Sequence, residues 1–138
     1  MKVTWNWLAD FVELTLTSGD LADRLDMAGL EVESIEPRGQ ELAEVRIAEV
    51  AAVRPHPQAD RLKICDVYTS DALRTVVCGA PNVAEGQRVA YAPPGTKLPN
   101  CEITAQEIRG VLSAGMLCSE AELGIGPDET GILVLPTD

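Results

Sequence analysis

The side chains in this chain that could do chemistry are one histidine, four cysteines and a small set of bases. His56 lies between two prolines, and the cysteines are Cys65, Cys78, Cys101 and Cys118. No two cysteines have the C-x-x-C spacing of a zinc site. A general base needs an orienting partner, and the sequence around His56 supplies none. These residues predict no catalytic group and no metal site, and we expect the histidine to stiffen its loop through hydrogen bonds.

The arginine and lysine side chains could bind phosphate groups. The net charge of −11 is nevertheless unusual for a nucleic-acid-binding domain, which is expected to be basic. The charge is uneven, since residues 46–97 sum to +2 whereas residues 1–45 and 98–138 sum to −7 and −6. Bases that converged on one face could contact phosphates, and the dispersed set is equally compatible with a solvated surface. The candidates are Arg54, Arg61, Lys63, Arg88 and Arg109.

The N-terminal segment and the cysteine content indicate a reducing compartment. No apolar run approaches the ~20 residues needed to cross a bilayer. The opening sequence MKVTWNWLADFVEL carries acids within its apolar part, unlike a secretory signal. We therefore expect a cytoplasmic protein whose thiols are reduced and at least partly buried, although an even number of cysteines leaves disulfides open.

Residues 1–40 are predicted to form a small α/β appendage. Thr4 can cap a helix over residues 4–12, and Thr17 with Asp20 marks the start of a second helix that Gly29 would end. The apolar residues between 30 and 35 predict a short strand closed by a proline. Forty residues are too few for an independent core, so this appendage is expected to pack on the rest of its subunit.

Residues 41–138 have the pattern of a small β-barrel. Short alternating runs separated by turn residues are typical of Greek-key barrels, and an OB-type barrel is the natural candidate. A tight loop is predicted over 55–61, and a phase shift after Val50 predicts a bulge. The predicted strands are 45–53, 62–68, 73–78, 88–92, a weaker one between 103 and 108, and 132–135. The fold class is thus mainly β with short helices.

The run from Ile108 to Gly124, IRGVLSAGMLCSEAELG, predicts a strand, a glycine-rich turn and a short helix. Ser119 and Glu122 have the spacing of a capping box. The glycines of this run are expected at turns that need positive φ or close packing. Because the run has one base against acids in the first helical turn, we expect it to close the barrel rather than bind phosphate along the helix.

Several motifs of the chain resemble those of the tRNA-binding OB domain family. VRPHPQADRLKICDV (53–67) is similar to its HPxADxL signature, and VVCGAPNV, IRGVLSAGMLCSEAELG and GILVLP follow in the family's order. WLADFVEL and MAGLEVESIE resemble the first residues of the bacterial phenylalanyl-tRNA synthetase β-subunit family. The same OB domain also occurs in some methionyl-tRNA synthetases and in free-standing tRNA-binding proteins, but these lack such an opening segment. The resemblance covers almost the whole chain.

This resemblance implies an auxiliary tRNA-binding module without catalytic residues of its own. The related enzyme attaches phenylalanine to tRNA, using ATP and magnesium at its α subunit, in a cytoplasmic heterotetramer of two α and two β subunits. The competing interpretation is an architectural domain of the same synthetase that binds no RNA.

Overall fold

A six-stranded antiparallel sheet forms the larger part of the structure, a computed structural model that describes residues 1–137. The chain separates into two units, Met1–Arg38 and Gly39–Asp138. The sheet lies in the second unit, and its strands are β1 (Arg46–His56), β2 (Ala59–Tyr68), β3 (Leu73–Cys78), β4 (Arg88–Ala92), β9 (Met116–Leu117) and β10 (Val134–Leu135). Their order in the sheet is β10-β4-β1-β2-β3, with β9 paired to β4.

Two short hairpins complete the β structure and close it into a barrel. They consist of β5 (Lys97–Leu98) with β6 (Cys101–Glu102), and β7 (Gln106–Ile108) with β8 (Val111–Ser113). The closure lies between β8 and β3, where the Ala114 N–H donates to Thr75 O and the Val77 N–H donates to Ser113 Oγ. The predicted fold class, an OB-type barrel that is mainly β with short helices, is confirmed.

Buried residues of the four longer strands produce the barrel core: burial alternates at the start of β1, whereas the last residues of β3 and β4 are buried consecutively. Apart from Tyr91, the residues of this core in β1, β2, β3 and β4 are valine, alanine or cysteine, small side chains that suit the narrow interior of a barrel. The fully buried members include Val50, Cys65, Val67, Val76 and Val89. The bulge predicted in the first strand is present, because the register with β2 shifts between Val50 and Ala52.

Three of the predicted elements differ from the structure. The loop predicted over 55–61 is a two-residue turn at Pro57 and Gln58, because β1 and β2 extend to meet it. The strand predicted between 103 and 108 forms only in part, as β7 (Gln106–Ile108), because Ile103 instead exchanges backbone hydrogen bonds with the 95–96 turn. The last strand is limited to Val134–Leu135 because the Ile132 backbone bonds to a side chain instead.

The first unit, Met1–Arg38, contains two helices and, within the described residues, no strand. Helix α1 (Trp5–Ala9) is shorter than predicted and is capped by Thr4, while α2 (Ser18–Met27) is capped by Thr17. Gly29 ends α2 with a φ of 85°, as predicted. The strand predicted at 30–35 is wrong, since no neighbouring strand pairs with this segment.

Helix α3 (Glu120–Leu123) carries the predicted capping box. The Ser119 Oγ accepts the Glu122 N–H at 3.2 Å, and the Glu122 carboxylate accepts the Ser119 N–H at 2.7 Å. We expect Ser119→Ala to lower the free energy of unfolding by about 1 kcal/mol, since the cap is lost. Urea denaturation measures this loss. Ser70→Ala, at an exposed bend, is the control, and an equal effect of both substitutions would contradict the assignment.

Candidate nucleic-acid interface

His56 joins the tip of the β1–β2 hairpin to the turn between β7 and β8. The ring is only 4% exposed, and its Nδ1 accepts the Gln58 N–H at 3.1 Å. Because Nδ1 is an acceptor, the proton of the neutral ring lies on Nε2, which donates to Ile108 O at 3.1 Å. The expectation that this histidine stiffens its loop through hydrogen bonds is confirmed, and the bond to Ile108 reaches 52 residues along the chain.

Arg109 occupies the β7–β8 turn in a strained backbone conformation. Its φ of 48° is the one positive φ of a non-glycine residue in the described part of the chain. Such strain persists only where surrounding contacts hold it, and it concentrates at functional sites. Here the guanidinium donates to Gln58 O at 3.2 Å, beside the contact made by His56. The two turns are therefore held together by two side chains, His56 from the β1–β2 hairpin and Arg109 from the β7–β8 turn.

A cleft of about 390 Å³ opens next to the joined turns. It is lined by Ala59, Asp60, Arg61, Leu62 and Arg109, and both arginines are exposed. Two guanidinium groups at one cleft match the planar, bidentate geometry of phosphate recognition. We call this group of residues the hairpin cleft.

Arg54 is engaged by an acid on the neighbouring strand. Its guanidinium forms an ion pair with Asp66, whose carboxylate also accepts the Thr75 hydroxyl at 2.9 Å. The hydrogen bond from Arg54, reinforced by that from Thr75, holds the pKa of Asp66 below its usual value. The positive charge of Arg54 is thus offset within the protein.

Lys63 and Arg88 lie away from the hairpin cleft. The Lys63 ammonium donates to the backbone oxygens of Pro81 and Val83, at 3.2 and 3.4 Å, and so supports the turn after β3. Arg88 is exposed at the start of β4, opposite Glu49 on β1. Of the five candidate bases, the structure therefore brings Arg61 and Arg109 together and places Arg54, Lys63 and Arg88 elsewhere.

The four cysteines differ in burial and in the acidity of their thiols, since a hydrogen bond from Cys65 lowers the pKa of Cys78 to about 7. All four are free; Cys65, Cys78 and Cys118 are buried and Cys101 is exposed. Burial raises the pKa of Cys118 to about 12, so its nucleophilic thiolate is scarce at neutral pH. No cluster of three potential metal ligands occurs among residues 1–137. In the same part of the chain, every helix is too short or too polar to cross a membrane.

Asn82 is a residue that the sequence analysis did not single out. Its amide Nδ2 donates to Ile132 O and its Oδ1 accepts the Ile132 N–H, both at 2.9 Å. The Asn82 side chain thus takes the place of a neighbouring strand for the Ile132 backbone. It connects the segment CGAPNV (78–83) to the segment GILVLP (131–136). Local sequence could not reveal this role, because the partner of Asn82 lies 50 residues further along the chain.

The barrel corresponds to a known class of domain. Residues 45–138 match the family model described as "Putative tRNA binding domain", and the chain belongs to this family.

Relatives with similar sequences are phenylalanine–tRNA ligase beta subunits. That of Desulfotalea psychrophila is 50% identical over 138 residues, which are 99% of this chain and 17% of the relative. That of Syntrophus aciditrophicus is 47% identical over 137 residues, with the same coverage of both chains. That of Dechloromonas aromatica is 49% identical over 140 residues, or 100% of this chain and 18% of the relative. The chain thus spans less than a fifth of these relatives and matches their N-terminal part, which confirms the predicted resemblance.

Proposed function

We propose that residues 41–138 contact tRNA as an auxiliary module of a phenylalanine–tRNA ligase β subunit and carry no catalytic residue. The observation that supports this most is the hairpin cleft, where Arg61 and Arg109 meet on a barrel of the tRNA-binding family. Their guanidinium groups would bind backbone phosphates and would position the RNA without reading its sequence. Three further bases are secondary candidates, because each lies outside the cleft and Arg54 and Lys63 already have partners within the protein. These bases are Arg54, Lys63 and Arg88.

The charge of the chain suits a weak contact. With a net charge of −11, long-range attraction of RNA is small, so binding depends on the few local bases. A weak module that is linked to other tRNA sites can still raise the overall affinity by about 10²–10⁴-fold through effective concentration. We therefore infer a module that assists a longer synthetase.

The wider assignment follows from the relatives, whose name describes a ligase for phenylalanine and tRNA. We infer that this chain serves the same reaction, with ATP and magnesium used by the partner α subunit. We further infer an assembly of two α and two β subunits in the cytoplasm. The four free cysteines fit a reducing compartment.

A second candidate function is architectural, and the unit Met1–Arg38 favours it for residues 1–40. Neither of its helices contains a buried residue. Trp7 and Phe11 are 52% and 72% exposed, which is high for side chains of this size. A group of exposed apolar side chains on a small unit is typical of a surface that packs on another part of a larger subunit.

Measuring tRNA binding against salt concentration separates the two functions. For the 138-residue chain and a phenylalanine tRNA transcript, we expect log K to fall linearly with log salt. Arg61→Glu with Arg109→Glu should weaken binding by about tenfold or more and reduce the slope by about 1 to 2, because two phosphate contacts are lost. Fluorescence anisotropy measures both quantities.

The control for this experiment is Lys97→Glu with Arg24→Glu, which makes the same change in charge outside the hairpin cleft. Equal losses in both double variants would show that net charge alone governs binding. If the parent chain bound no tRNA at low salt, the architectural function would stand instead.

A further inference from the structure

A second cleft with two arginines lies at the opposite end of β2 from the hairpin cleft. Its volume is about 340 Å³, and its lining includes Arg46, Asp71, Arg74, Tyr91 and Pro93. We propose that this second cleft binds a further phosphodiester of the same RNA. The inference rests on the proposed function and adds a site to it.

Arg46 is positioned for this role by the start of β1. Its guanidinium donates through one nitrogen to Ala43 O at 2.9 Å, which restrains the side chain. Within residues 1–137, no acidic group lies within ion-pair distance of Arg46. A restrained guanidinium without an acidic partner is suited to an external anion, since little of its binding capacity is used internally.

Arg74 has an acidic neighbour, but the pair is weak. The Arg74 guanidinium lies 3.4 Å from the Asp71 carboxylate, and the two side chains are 45% and 73% exposed. Exposed pairs of this kind contribute little to stability. Asp71 is also held by the Thr69 hydroxyl at 2.7 Å, so its carboxylate remains satisfied if Arg74 turns to a phosphate.

The walls of the second cleft favour a phosphate over a base. Tyr91, the aromatic residue of the lining, is buried, and its hydroxyl donates to Ala114 O, so the ring is not available as a stacking platform. Pro93 and Pro94 form a stiff wall because their φ angles are fixed by the ring. The charged groups of the cleft are two guanidinium groups and the Asp71 carboxylate, and a phosphodiester oxygen is the RNA group that matches the guanidinium groups.

The two clefts are too far apart to bind one phosphate. Arg61 in the hairpin cleft and Thr69 in the second cleft are eight residues apart along the chain, which is about 27 Å at the rise of an extended strand. Each cleft carries two arginines and one aspartate. They are therefore similar contacts at the two ends of β2, and an RNA that lies along this strand would meet both.

The test uses the 138-residue chain and the phenylalanine tRNA transcript. We expect Arg46→Gln with Arg74→Gln to weaken binding by about tenfold at low salt and to reduce the salt slope by about 1 to 2. The matched control is Lys97→Gln with Arg24→Gln, which removes two charges outside both clefts and should change the slope far less. Thermal unfolding of both variants reports whether the barrel is intact.

A charge-preserving variant covers the case in which the glutamine variant does not fold. Arg46→Lys with Arg74→Lys keeps the charge and loses the bidentate fork, so we expect the salt slope to be kept and the affinity to fall by a few-fold.

The second cleft would be overturned if the glutamine variant kept the affinity and salt slope of the parent chain while Arg61→Glu with Arg109→Glu still weakened binding. That result would leave the proposed function intact. Lack of tRNA binding by the parent chain would instead remove the proposed function itself.

Discussion

Replacing Gly115 with alanine is expected to lower the free energy of unfolding by about 3–5 kcal/mol. Gly115 has a φ of 122°, a region that side chains disfavour, at the crossing from β8 to β9. A Cβ there would lie 2.5 Å from Ala92 O and 2.6 Å from the Tyr91 ring. Neither neighbour can move freely, because Tyr91 is buried and bonded to Ala114 O, and Ala92 is part of β4.

Gly110 is the control for this substitution. Its φ of 84° is also positive, but a Cβ at Gly110 would meet no atom within 4 Å. Gly110→Ala should therefore cost only the backbone strain, about 1–2 kcal/mol. Urea denaturation of both variants gives the two free energies. Equal values would mean that the close approach at Gly115 does not matter and that strain alone explains both glycines.

Replacing Asn82 with alanine is expected to cost about 2–3 kcal/mol, the second largest effect on stability. The substitution removes two hydrogen bonds to the Ile132 backbone and leaves its N–H and C=O without their partner. Ile132 is itself buried in the barrel core, so water replaces these bonds poorly. Gly131 packs directly against the Asn82 amide, which leaves room for no other side chain at that point.

Two further variants sharpen the Asn82 prediction. Asn82→Asp keeps the acceptor for the Ile132 N–H but turns a second oxygen towards Ile132 O, so we expect a loss at least as large as for alanine. Asn100→Ala, at an exposed position after β5, should change stability by less than about 0.5 kcal/mol. Chemical denaturation distinguishes these cases. A loss of similar size at Asn100 would show that the bonds to Ile132 are unimportant.

The elements that were predicted accurately depend on local sequence. The bounds of β3 and β4 agree with their alternating runs, and the caps at Thr4, Thr17 and Ser119 form with the residues expected. The strand predicted at 30–35 fails because a strand needs a neighbour to hydrogen-bond, and this segment has none in the described residues. Alternation alone could not reveal the missing partner.

The sequence by itself determined the family, the barrel class, the helix caps and the glycine turns, because each depends on residues a few positions apart. Only the tertiary structure decided which bases meet. Arg109 reaches the hairpin cleft through contacts to Gln58, 51 residues earlier in the chain, while Arg54 is engaged by Asp66 on the adjacent strand. The register of the paired strands determines which of these side chains lie close together. A one-residue shift in register would turn the same side chains to the opposite face of the sheet.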